Sequence, residues 1–333
     1  MTVGIVSYGL HLPEKIESAE EIAARCGMTV DDVRTLGLRQ RYLPADDDQP
    51  VPMAVKAAKK ALASAGDLDP LAVDVVIWTG EEYKDYIAQT PSIRLQEEIG
   101  CQNAWAFDLV AQSVTLIQGL RMARDLIAGD SSIQTVLLAG GTRNIDLVDC
   151  KNIDTRFLLP CSASGGAVIV QRDYGRNTLL DTVFQVDAEM ADEIYVPGGG
   201  TEIPFSTENL NTDAMYFQTP RPEKVAGYLK QRWAAALGAT AARLKTSGKT
   251  GYLALRHLAP LDRKKVLVAL GLDARQSADL ENHGHHGTND PLISLDMGIK
   301  QNVVKDGDIV TLLAGGIGFT YAAAAIQWGE QIA

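Results

Sequence analysis

The pentapeptide LLAGG occurs twice, at 137–141 and at 312–316, an offset of 175 between the two start positions. Moving the strand-like run VDVVIWTG (73–80) by the same offset lands it on 248–255, at the approach to the apolar run GYLALRHLA (251–259). Moving Ser113 lands it on Thr288, in a loop ahead of the helix-like LISLDMGI. A five-residue match can arise by chance, but three features in one register point to a duplicated unit. Such a duplication sets the turn at Ser113 opposite a histidine-rich loop, across a pseudo-twofold axis.

The unit is of α/β type. Apolar runs QTVLLAGG (134–141), GGAVIVQRD (165–173) and DIVTLLAGG (308–316) read as strands. Several are apolar on both faces, as strands sandwiched between helices must be. Between them, 51–66, 113–129 and 222–244 repeat apolar residues at three-to-four spacing and read as helices. The opening MTVGIVSYGLHLPEK lacks a basic n-region and a long apolar core, so the expectation is a first strand and a cytoplasmic chain. No apolar run approaches the roughly 18 residues of a membrane span. The net charge of −11 argues against nucleic acid, and an acidic partner would need a local basic patch. Cys26, Cys101, Cys150 and Cys161 have no CxxC spacing and read as reduced, structural thiols.

Chemistry-bearing residues gather in few places. Ser113 opens the helix-like 113–129, where unsatisfied amides and the helix dipole favour an anion; it reads as a nucleophile or as a simple N-cap. His257 ends an apolar strand and is either an active-site group or a hydrogen-bonded core histidine. ENHGHHGTNDP (281–291) packs His283, His285, His286 and Asp290 into one loop without a metallohydrolase pattern, so no metal is expected. Neither AGGTRN nor AGGIGF supplies a dinucleotide-binding turn. The glycines of 314–318 let the backbone approach a bound group or close a tight loop.

Taken together, GIVSYGLHLPEK, LGLRQRYL (36–43), AFDLVAQSVTLIQGL (106–120), LALRHLAP (253–260), NHGHHGTND (282–290) and AGGIGFTYAAA (314–324) resemble ketoacyl-ACP synthase III and its relatives in the thiolase superfamily. The resemblance covers nearly the whole chain. It implies a thiolase fold, with pseudo-symmetric halves at 1–172 and 173–333 in a five-layered α-β-α-β-α core, and a homodimer. It implies an acyltransferase with no cofactor, whose substrate is an acyl-CoA or a phosphopantetheinyl acyl carrier protein. The family's nucleophilic cysteine falls at Ser113, its histidine at His257 and its asparagine at His285, with His286 as the alternative register. In the family that histidine and asparagine stabilise the enolate of a decarboxylative condensation. The oxyanion-binding amides fall at Ser113 and Ile317, and the acyl pocket at Thr90, Gly315 and Phe319. Arg263, Lys264 and Lys265 fall where carriers dock, or form a solvated helix face. No tryptophan stands near Asp31 to stack on a CoA adenine, and Thr35 holds an arginine position.

A thiol at such a site can attack as thiolate, but a serine hydroxyl stays protonated and needs a base held by a third group. His285 for asparagine supplies an imidazole, and Asp290 lies five positions on. The expectation is therefore a serine branch of the family, with catalytic Ser113, His257, His285 and Asp290, acting as acyltransferase or starter-unit ketosynthase. The alternative is a non-catalytic partner subunit, since Gln112 stands next to the nucleophile position that glutamine occupies in such subunits. A hydrolase is disfavoured, because no water-handling carboxylate pair and no G-x-S-x-G elbow is visible.

Overall fold

A computed structural model describes residues 1–66 and 68–330; the last three residues of the expected second half lie outside the described residues. In chain order the first part holds β1 (Val3–His11), β2 (Lys15–Ser18), α1 (Ala19–Cys26), α2 (Val30–Thr35), β3 (Gln40–Leu43) and α3 (Pro50–Ser64). There follow β4 (Val75–Trp78), α4 (Pro91–Ile99), β5 (Trp105–Asp108), α5 (Thr115–Gly129), β6 (Thr135–Thr142) and β7 (Ser164–Arg172). The remainder holds β8 (Arg176–Val186), α6 (Pro222–Tyr228), α7 (Ala234–Ala241), β9 (Thr250–Leu255) and α8 (Pro260–Leu270). It closes with α9 (Asp290–Lys300), β10 (Ile309–Gly316) and β11 (Thr320–Glu330).

Nine strands form one sheet in the order β5-β4-β6-β7-β1-β8-β11-β10-β9. From its centre the pattern repeats outward. β4–β6 and β9–β10 are parallel, β6–β7 and β10–β11 antiparallel, and β7–β1 and β11–β8 antiparallel. β1 and β8 meet through the pair Gly4–Thr178. The two LLAGG copies are thus β6 and β10, equivalent strands, and both are buried at every residue.

Strand alternation builds the layers. Val136 and Leu138 of β6 face a central core with Ile117 and Leu120 of α5 and Leu292 and Leu295 of α9. Leu312 and Ala314 of β10 face the same core from the other side. The opposite face of β6, Leu137 and Ala139, packs on α3 and α4, and Leu313 of β10 packs on α7 and α8. The two halves of the sheet, β5-β4-β6-β7-β1 and β8-β11-β10-β9, lie on either side of α5/α9, so the layers run α3/α4, first half-sheet, α5/α9, second half-sheet, α6–α8, a mixed α/β architecture. α3 lies very close to its sheet because it presents mostly alanine. A β-carbon at Gly141 would come 1.9 Å from the Pro50 carbonyl oxygen, so only glycine fits there. The expected helix over 222–244 is broken by a π-turn at Leu229–Trp233, which no periodicity forecasts. Such an extra residue in one turn is a frequent feature of functional sites, and here Trp233 reaches the cavity described below. Among the described residues, no helix is long and apolar enough to cross a membrane.

Candidate active site

The two pseudo-equivalent helices α5 and α9 start face to face. Each is preceded by a single tight turn, Gln112–Val114 and Gly287–Asn289. They are stitched together by the Leu116 amide, which donates to Thr288 Oγ1 at 2.7 Å. Ser113, in the first turn, therefore stands two residues ahead of α5 and does not cap it; the N-cap reading is corrected. Its neighbour Gln112 has φ +54°, a left-handed conformation costing about 1–2 kcal/mol outside glycine. Gly316, at the end of β10, lies against this turn: a β-carbon there would come 2.9 Å from the Ser113 nitrogen.

Three groups converge near Ser113 Oγ, two of them in direct reach. The hydroxyl donates to Glu81 Oε1 at 3.0 Å, and His285 Nε2 lies 3.4 Å away. The third, Arg256, donates from Nη2 to the same His285 Nε2 at 3.1 Å. A guanidinium has only protons to offer, so Nε2 is the bare nitrogen of a neutral ring. The ring proton then sits on Nδ1, which donates to Asp290 Oδ2 at 2.5 Å. His285 is held in place by its own backbone, which bridges to Cys161: its amide donates to Pro160 O, and its carbonyl accepts from Ser162 N.

Asp290 is fully buried as the first residue of α9 and accepts two backbone amides besides the ring, from His286 at 2.6 Å and His257 at 2.9 Å. Burial alone would raise its proton affinity, but His285 and Arg256 hold its carboxyl well below the usual carboxylate range. Glu81 is the converse case. It is 2% exposed, and burial pushes its carboxyl up, only partly offset by His285 and Ser113. Its other oxygen accepts the side-chain amide of Asn144.

The remaining expected residues divide. His257 lines the cavity, but its Nε2 donates to the Gly37 carbonyl at 2.9 Å rather than serving Ser113, and burial holds it neutral, down to about 4. His286 is wholly buried, its ring nitrogens 3.1 Å from Ala163 O and 3.0 Å from His283 O, of which the neutral ring donates to one, and it is His285 that reaches Ser113. Ile317 and Phe319 line the cavity. Gly315 sits behind it, where a β-carbon would strike Trp233 at 2.7 Å. Thr90 is exposed at the start of α4, away from the cavity of this chain. The basic trio splits. Arg263 donates to the carbonyls of Ala274 and Ser277, Lys265 pairs with Asp262 at 2.7 Å, and Lys264 is exposed. Arg263 is thus a strut of the fold rather than part of a docking patch.

The cavity beside Ser113 measures about 150 Å³ and is walled by Phe157, Ile194, Phe217, Leu229, Trp233 and Phe319. An apolar void of this volume takes up roughly one benzene ring. Sequence reasoning missed Glu81, Asn144 and Arg256. The signal for Glu81 was present, a carboxylate just past the buried strand β4, but the acidic pair Glu81–Glu82 reads as surface without tertiary contacts. Arg256 was masked by its neighbour His257.

Residues 107–188 match the family model described as 3-oxoacyl-[acyl-carrier-protein (ACP)] synthase III, and residues 259–328 match the model of its C-terminal part. A beta-ketoacyl-[acyl-carrier-protein] synthase III of Bradyrhizobium sp. is 25% identical over 330 residues, covering 97% of this chain and 98% of its own. The fold is that of 3-oxoacyl-(acyl carrier protein) synthase III from Pseudomonas aeruginosa, with TM-score 0.81, 22% identity and both chains fully covered. It is equally that of the priming beta-ketosynthase of the R1128 polyketide biosynthetic pathway, with TM-score 0.82, 20% identity and coverage of 99% and 97%.

Proposed function

We propose that the chain, which is similar to 3-oxoacyl-ACP synthase III over nearly its whole length, moves an acyl group from a thioester to an acceptor through an ester on Ser113. One observation carries this reading: the line from Ser113 Oγ through His285 to Asp290, at 3.4 and 2.5 Å. It has the order of a nucleophile, base and orienting carboxylate. Asp290 keeps the ring proton on Nδ1, so the lone pair of Nε2 faces the hydroxyl. Arg256 shares that lone pair and yields it as the Ser113 proton arrives.

In the first half-reaction the bond from Ser113 Oγ to the acyl carbon forms and the carbon–sulfur bond breaks. The hydroxyl proton passes to His285 Nε2 and on to the departing thiolate. The distance of 3.4 Å is long for a hydrogen bond, as catalytic contacts often are before substrate binds. The backbone amide of Ser113, joined by that of Ile317, faces the developing oxyanion. The cavity volume favours acyl groups of few carbons, as suits the choice of a starter unit in fatty acid or polyketide synthesis.

The donor is a phosphopantetheinyl thioester, carried by a protein or by CoA, entering past Leu36, Ala259 and Asp262 at the base of α8. A second copy of the chain covers β5. The other edge strand of the sheet, β9, is largely buried, whereas β5 presents Trp105 at 50% exposure, and the loop ahead of α4 presents Ile87 at 71%. An uncovered edge with apolar flanks is a pairing surface.

The test is intact mass after incubation with short acyl thioesters. The wild type gains one acyl group and Ser113→Ala gains none; equal labelling of the two ends the reading.

A further inference from the structure

Building on the acyl-Ser113 reading, we propose that Glu81 is the base that takes the proton of the acyl acceptor, and that the acceptor is an alcohol or amine rather than a carbanion.

Ser113 Oγ has two potential proton acceptors on different sides, and the triad uses only one. Glu81 is the nearer, at 3.0 Å. Its carboxyl is boxed between Asn144, Ser113 and the backbone of Gly287, where a β-carbon would come 2.2 Å from Oε1. A carboxyl held this tightly in a buried place is costly and needs a use. Once Ser113 is acylated it has no hydroxyl proton to give, so Glu81 Oε1 loses that donor while standing beside the ester. An incoming O–H or N–H can take the vacated place. Burial already raises the proton affinity of this carboxyl, which moves it toward the range of an effective base at neutral pH.

Carbon–carbon bond formation has the opposite requirement. Enolate chemistry in the family draws on N–H donors at the positions of His257 and His285. Here His257 spends its Nε2 proton on Gly37 O, leaving only a bare Nδ1, and His285 presents a bare Nε2. Neither ring offers a free proton to an enolate oxygen.

The transfer balances. The acceptor oxygen or nitrogen bonds the acyl carbon as its proton moves to Glu81. The bond from the acyl carbon to Ser113 Oγ then breaks, and Oγ recovers a proton from the adjacent Glu81 carboxyl, restoring both groups.

The test loads wild type and Glu81→Gln with the propionyl thioester of N-acetylcysteamine and follows adduct growth and decay by mass. In Glu81→Gln transfer to propan-1-ol slows about 10²–10⁴-fold more than adduct formation does, with partial recovery in Glu81→Asp. In the wild type, transfer rises with pH through an ionisation above the ordinary carboxylate range, a limb absent from Glu81→Gln. Equal slowing of both steps, or unchanged decay, overturns the proposal. So does faster transfer, with loss of carbon dioxide, to the malonyl thioester of N-acetylcysteamine. If Glu81→Gln does not fold, the wild-type pH limb and its choice between propanol and malonyl thioester decide. Absence of any adduct on the wild type defeats the acyl-Ser113 reading instead.

Discussion

Replacing Asp290 by asparagine changes one atom of a buried group that accepts three N–H bonds. Oδ2 takes the His257 amide and His285 Nδ1, and Oδ1 takes the His286 amide. The amide of asparagine must point its NH₂ at one of these two sets. Against Oδ1's partner it meets the His286 N–H, and two donors are left facing each other. In place of Oδ2 it strands the His257 N–H but finds a partner if His285 gives up its Nδ1 proton. The second arrangement gives the new amide N–H a ring nitrogen to donate to and is the expected one. It moves the ring proton to Nε2, where it faces both Ser113 and the Arg256 guanidinium, and the base is lost. A wrong tautomer of this kind costs about 10⁴ in rate, or about 5 kcal/mol of barrier. The stranded amide costs a further 1–3 kcal/mol of stability, roughly. The assay is the initial rate of adduct formation on Asp290→Asn, with thermal unfolding as a control. A folded variant that acylates within tenfold of the wild type would refute the tautomer argument.

Two further outcomes are expected. Burial holds His257 and His286 neutral, lowering them from the ordinary 6.5 to about 4 and about 3. Below pH 6.5 the unfolded chain binds protons that the folded one refuses, so stability is full above that value and is lost as pH falls toward 4, by roughly 2 kcal/mol per histidine at pH 5; an unchanged denaturant midpoint between pH 7 and pH 5 would contradict this. Ile87→Asp places a charge on the exposed loop ahead of α4 and is expected to convert the proposed dimer to monomers in sedimentation, with the monomer's fold intact; a dimer of unchanged affinity would move the interface elsewhere.

Fold and site were not equally legible. The repeat at 137 and 312 is a statement about burial, since a strand covered on both faces must be apolar throughout and small where a helix crosses it. That requirement acts locally, so β6, β10 and the helices α3 and α5 were readable within a residue or two. The π-turn ahead of α7 was not, because the apolar spacing of 222–244 carries no mark of an extra residue in one turn.

The chain order of the site was likewise visible: Ser113, His285 and Asp290 lie in segments whose spacing matches a known arrangement, and His285–Asp290 spans one short turn onto a helix. Which way a ring points is a different matter. His257 and His285 are both histidines in candidate positions, and only the packed structure turns one toward Gly37 and the other toward Ser113. Glu81 and Arg256 entered the site for the same reason. Local sequence sets backbone geometry and burial, because those depend on neighbours a few residues away. The direction of a proton depends on the partners at both ends of each polar group, and these come from separate elements, as far apart in sequence as Ser113 and His285 or Gly37 and His257.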